Sequence, residues 1–130
     1  MRLKLIACEV LYRELCYAVA RSVNQVDLES LPKGLHDRGS AAMAARVQQA
    51  VDQTPAERYD AIARGYALCG NGLAGVAARS RPLVVARAHD CITLLLGSKE
   101  RYAEYFAGHP GVYFKTSGWI ERGQAGDTQV

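Results

Sequence analysis

Pro82-Leu83-Val84-Val85-Ala86 is apolar from end to end and has two β-branched residues at its centre. A strand without polar alternation is the mark of a parallel sheet covered by helices on its faces. This run therefore predicts an α/β fold, and its flanks can be read for alternating strands and helices. Upstream, Leu73 to Arg79 reads as a short helix after a glycine-rich turn, and Tyr59 to Tyr66 as a strand between two helical stretches. Residues 41–51 are strong helix formers in which Met43, Val47 and Val51 recur four apart. Thr54-Pro55-Ala56-Glu57 has the form of a helix start, a cap followed by proline, with one turn needed after it. Val26 to Leu31 alternates and is stopped by Pro32-Lys33-Gly34. Arg2 to Ala7 alternates too, and Leu11, Leu15 and Val19 then fall at helical spacing.

Downstream of the apolar run, Asp90 to Leu96 and Ser98 to Phe106 read as helices, the second with Ser98 as cap and Glu100 in its first turn. Tyr102, Tyr105 and Phe106 are expected on its inner face. Val112-Tyr113-Phe114 supplies a fifth strand. Strands alternating with helices imply right-handed parallel crossovers. The expected fold is thus a three-layer α/β sandwich on a mostly parallel, about five-stranded, Rossmann-like sheet, in a single domain over residues 1–120. Residues 121–130 are polar and aperiodic, a frayed, disordered tail or the stump of something longer.

The 130 residues are 49% hydrophobic and 22% charged, a globular composition. No apolar run is long enough for a bilayer span, so no membrane is expected. Sixteen Lys and Arg against thirteen Asp and Glu give a net charge of +3, spread evenly over the two halves. Without a basic stripe, nucleic acid is not an expected partner. The first eight residues mix charge into a short apolar run and do not form a signal peptide, so a cytoplasmic location is expected. There Cys8, Cys16, Cys69 and Cys91 stay reduced.

Ligands of open parallel sheets bind beyond the carboxyl ends of the strands. At that edge the chain places Cys8 and Glu9 after the first strand, His36 and Asp37 after the second, Cys69 and Gly70 after the third, and His89, Asp90 and Cys91 after the fourth. Thiolate and imidazole are the ligands that zinc and iron prefer. The predicted metal ligands are Cys8, Cys69 and Cys91, with His36 or His89 completing the shell of a zinc ion or an iron–sulfur cluster. Weighed evenly against this is plain packing, since cysteine is among the most buried residue types. Cys16, beside Leu15 and Val19 in the first helix, is expected in the core.

Two other readings remain open. Cys69, on a turn ahead of a helix, could be a nucleophile with His89 as base and Asp90 or Glu9 orienting it, in a metal-free cysteine enzyme. Its surroundings resemble a nucleophile elbow but lack the leading glycine. Gly70-Asn71-Gly72-Leu73-Ala74-Gly75 matches GxGxxG, so Gly70, Asn71, Gly72 and Gly75 could cradle an anion or nucleotide. A tight turn with backbone amides explains the same residues more simply. His109, before Pro110-Gly111, reads as solvated, and Trp119 either plugs the last loop or covers the site. The partner expected is a small-molecule ligand, with a protein partner or homo-oligomer left open.

Leu5-Ile6-Ala7-Cys8-Glu9-Val10-Leu11, Leu31-Pro32-Lys33-Gly34-Leu35-His36-Asp37, Gly65-Tyr66-Ala67-Leu68-Cys69-Gly70-Asn71-Gly72 and Arg87 to Ser98 resemble segments of the DUF1638 family, bacterial and methanogen proteins of unknown function. The resemblance runs from residue 3 to about 120. It implies a longer protein with a further helical portion after Gly118-Trp119, so that this chain is a shortened member or fragment. It also implies a context in anaerobic, methyl-transfer metabolism. The role then expected is that of a Lewis-acid catalyst, a methyl- or sulfur-transfer accessory, or a sensor.

Overall fold

A computed structural model of the chain describes residues 1–69 and 71–123. Four strands, β1 (Arg2–Cys8), β2 (Gln25–Leu31), β3 (Ala61–Gly65) and β4 (Leu83–Val85), pair in parallel in the order β2-β1-β3-β4. Between them run α1 (Tyr12–Ala20) and α2 (Ser40–Asp52), and after β4 come α3 (Cys91–Leu96), α4 (Lys99–Gly108) and α5 (Ser117–Glu121). Short 3-10 turns at Glu9–Leu11 and Lys33–Arg38 follow β1 and β2. The parallel α/β expectation holds for these four strands. No helix among the described residues is long and apolar enough to cross a membrane.

Burial along β1 rises toward its carboxyl end, where Ile6, Ala7 and Cys8 are almost fully enclosed while Arg2 is exposed. The apolar stripe of α2 is the one its spacing predicts: Met43, Val47 and Val51 pack with Ile6, Leu31, Ile62 and Tyr66. Each such side chain contributes about 1.5–3 kcal/mol on burial. Where β1 and β3 run side by side, a Cβ on Gly65 would come within 2.6 Å of the Ala7 Cβ, so glycine lets the two strand ends close up.

Several expectations are corrected. The fifth strand does not form: Val112 to Phe114 lies outside the sheet, and Phe114 places its ring against Tyr102 and Tyr105, 5.9 and 5.7 Å between centroids. β4 is therefore an edge strand, and Val84 and Val85, expected buried, are 59% and 46% exposed. Leu73 to Arg79 is turn and coil rather than helix, because Asn71 and Gly75 take left-handed backbone angles, φ 65° and 88°, that interrupt a helix. Thr54 ends a helix instead of starting one, its hydroxyl donating to the Ala50 carbonyl of α2 at 2.8 Å. Pro55 to Arg58 does close the single turn expected there.

The helices that follow β4 are also less buried than their patterns suggest. Tyr105 and Phe106 of α4 are 41% and 48% exposed and stack on neighbouring rings rather than entering the core. Cys16 is half-buried in α1, a helix with no fully buried residue, and is not a core cysteine. Of the expected tail, Glu121 and Arg122 carry ion pairs, to Arg13 at 2.6 Å and Glu9 at 3.9 Å. Residues 124–130 lie outside the described residues.

Candidate functional site

The strand order fixes where a site can form. The chain leaves β1 toward β2 on one side and β3 toward β4 on the other, so the β1/β3 boundary is the topological switch point. Cys8 ends β1 there. Register pairs Ala7 with Gly65, which sets Tyr66 alongside Cys8. The 3-10 turn after β2 brings in His36, whose Nε2 lies 3.5 Å from Cys8 Sγ. The loop after β3 carries Cys69 in a left-handed conformation, φ 49°. Its amide donates to the His89 carbonyl at 3.0 Å, and the Leu68 amide to Ala88 at 2.9 Å, so the Cys69 loop is tied to the segment that leads into Cys91.

The three thiols feel one another. Burial pushes Cys8 up to about 11, and thiolates at Cys69 and Cys91 would raise it further, while a Val10 backbone contact opposes. Cys69 is likewise pushed to about 11 by burial and then by Cys91, opposed by the Ala67 backbone and Arg64. Cys91 is raised by burial, with the Trp119 side chain opposing. His36 is lowered, chiefly by burial and also by the Lys33 ammonium, with Asp37 opposing. Near neutral pH Cys8 and His36 are thus a neutral thiol beside a neutral imidazole. An ion pair of the catalytic Cys–His type needs the opposite shifts.

The structure separates the two candidate histidines. His36 touches a thiol, whereas the His89 imidazole is taken by Asp90 Oδ2 at 3.1 Å, Thr93 Oγ1 at 3.4 Å and the edge of Tyr102 at 4.6 Å between centroids. Asp90 caps α3, accepting from the Thr93 amide at 2.8 Å and hydroxyl at 3.0 Å. Replacing Asp90 by Ala is expected to cost about 1 kcal/mol, read as a lower urea midpoint, with Asp90→Asn recovering most of it. As the side chains lie, no three of His, Cys, Asp and Glu among the described residues are close enough together to hold a metal ion.

Trp119 covers the site. Its ring packs on His36 at 5.6 Å, and the Lys33 ammonium lies 4.8 Å from its centroid. Glu9 braces this cover, accepting from the Lys33 amide at 2.8 Å while facing Arg122. The sequence reading placed Glu9 at the edge but missed Lys33, Tyr66 and Arg64. The available signal was Arg64, a lone charge in the otherwise apolar Ala61-Ile62-Ala63 strand.

The GxGxxG reading loses its structural context, since no helix follows the turn. Gly70 lies outside the described residues. Gly72 packs under Met43, where a Cβ would stand 3.3 Å from the thioether sulfur, and Gly75 has open space beside it. Two open surface grooves lie elsewhere, one along Tyr12, Arg13, Cys16 and Glu121, the other along Leu96, Arg101, Tyr105 and His109. Neither is lined by Cys8, Cys69, Cys91 or His36.

Among family descriptions, "Protein of unknown function (DUF1638)" matches residues 30–129. The match takes in His36, Cys69, Cys91 and Trp119, while β1 with Cys8 precedes it. No curated protein and no solved structure matches the chain.

Proposed function

Starting from the premise that the chain belongs to the DUF1638 family, we propose that it binds a thiophilic metal at the β1/β3 switch point. Cys8, Cys69 and Cys91 are the thiolate ligands and His36 is the imidazole, with zinc or an iron–sulfur cluster as the occupant. What supports this reading is that Cys8, Cys69 and Cys91 follow three separate strands of the parallel sheet, with His36 Nε2 3.5 Å from Cys8 Sγ and the Cys69 loop tied by backbone hydrogen bonds to the segment before Cys91. As the side chains lie the thiols are not gathered about one centre, so binding must draw them together, and a divalent cation replaces the protons that burial otherwise retains on sulfur. Anaerobic one-carbon metabolism is part of the same proposal, since a metal-bound thiolate can activate a thiol for alkyl transfer. A three-layer wrapping of the sheet and a cytoplasmic location belong to the same proposal.

The direct test is elemental analysis and a visible spectrum of protein purified without oxygen. About one zinc per chain, or iron with matching sulfide, is expected. Cys8→Ser, Cys69→Ser and Cys91→Ser should each lose most of it, while Cys16→Ser retains it. A folded, metal-free parent with one fast-alkylating thiol would overturn the proposal in favour of a cysteine nucleophile.

A further inference from the structure

β4 ends the sheet, and no strand pairs on its outer side among the described residues. In an extended strand the N–H and C=O of one residue point to the same side, and successive residues alternate. The Ile62 amide donates to the Pro82 carbonyl at 2.9 Å, so Pro82 and Val84 face β3 while Leu83 and Val85 turn their N–H and C=O outward. No loop or turn bonds to those outward groups among the described residues. The Val84 and Val85 side chains point to opposite faces of the sheet, yet both are largely exposed. β4 thus lacks a neighbour at its edge and full cover on either face. Proteins commonly blunt such an edge with a proline or a charge on the strand itself. Here the missing N–H of Pro82 is on the β3 side, and Leu83-Val84-Val85 carries no charge.

The charges lie on either side of the strand, and all are basic. Residues 61–89 contain no Asp or Glu, whereas Arg79, Arg81 and Arg87 flank β4. Arg79 pairs with Asp52 at 3.4 Å. Arg81 donates from Nε to the Ala56 carbonyl at 2.6 Å, and neither Arg81 nor Arg87 forms an ion pair among the described residues. The Ala88 amide closes on the Ala86 carbonyl at 3.0 Å, which turns the chain at Arg87 and sets that residue at the end of the free edge. These charges disfavour a second copy of the chain as occupant. Two-fold antiparallel pairing centred on Val84 sets Arg81 opposite Arg87 of the other copy; centring on Leu83 opposes Arg79 and Arg87, and centring on Val85 opposes Arg81 and His89. We infer that β4 is the docking edge for an extended segment of an acidic partner protein, which adds as a further strand with Asp or Glu beside Arg81 and Arg87. Backbone hydrogen bonds to Leu83 and Val85 supply affinity, and the arginines select the partner. No metal at the thiols is required.

The test uses the full chain and two fluorescent synthetic peptides with blocked termini, Glu-Glu-Val-Thr-Val-Thr-Val-Glu-Glu and the same sequence with Lys in place of Glu. Binding is read by fluorescence anisotropy, and the docking position by amide hydrogen exchange at Leu83 and Val85. The acidic peptide is expected to bind about tenfold more tightly than the basic one at low salt, and to slow exchange at both amides. Arg87→Glu is expected to weaken its binding about tenfold. Val85→Pro is expected to abolish binding while circular dichroism stays unchanged, because the N–H it removes faces outward and not β3. Absence of binding, equal binding of the two peptides, or binding that leaves exchange at Leu83 and Val85 unchanged overturns the inference. So does a dimer of the free chain, seen by light scattering, in which those two amides are already protected, since the edge then belongs to a second copy. Should Val85→Pro fail to fold, Arg87→Glu and the exchange pattern decide.

Discussion

Replacing Gly118 by alanine is expected to lift α5 off the 3-10 turn after β1 and uncover the thiols. Gly118 is buried, and a Cβ built on it falls inside the van der Waals envelope of the Val10 carbonyl. The obstruction is backbone in the 3-10 turn Glu9–Leu11, so no side-chain rotation relieves it. Alanine gains about 1 kcal/mol over glycine in helix propensity, but that gain is available only to a helix that has moved. Moving α5 takes Trp119 from His36 and from beside Cys91, and Lys33 from the Trp119 ring. Overpacking of this kind costs about 1–3 kcal/mol, and the lost packing brings the expected total to about 3 kcal/mol. The measurement is a thermal melt together with alkylation rates of Cys8 and Cys91, which should rise as the cover detaches. An unchanged melt and unchanged thiol reactivity would show that α5 is not the cover.

Periodicity made the parallel sheet legible because it depends on local chemistry. The four-residue recurrence of Met43, Val47 and Val51 lies in α2, and the apolar run Pro82 to Ala86 contains β4. Neighbours decided the rest. Nothing in Leu83-Val84-Val85 distinguishes an edge strand from a central one, since that depends on whether a later segment pairs with it. Val112-Tyr113-Phe114 has the composition of such a segment, yet tilted ring contacts with Tyr102 and Tyr105 of α4 claim Phe114. The site follows the same division. The rule that ligands gather beyond the carboxyl ends of parallel strands selected Cys8, Cys69 and Cys91 from strand order alone. It could not choose between His36 and His89, because both follow strands, and only three-dimensional contacts show that Asp90, Thr93 and Tyr102 occupy the second.

Raising the pH from 9 to 11 is expected to destabilise the metal-free protein. The Cys8 thiol has an ordinary value of 9.0 and is pushed to about 11 in the fold by burial. Between these values the unfolded chain has released the proton and the folded chain still holds it, so the unfolded state binds fewer protons and stability falls as pH rises. The contribution is complete below pH 9 and gone above about 11. Two units correspond to about 2–3 kcal/mol for Cys8, which is 3% exposed. Cys69 and Cys91 act in the same direction but are only half-buried, so they add less. Urea midpoints across this range should decline, and Cys8→Ala should flatten the decline. A bound metal reverses the pattern. Its ligands have already lost their protons in the folded state, so stability climbs with pH until the unfolded thiols ionise near 9 and is level beyond. A metal-free protein whose stability is flat from pH 9 to 11 would mean that Cys8 is not held as a buried thiol.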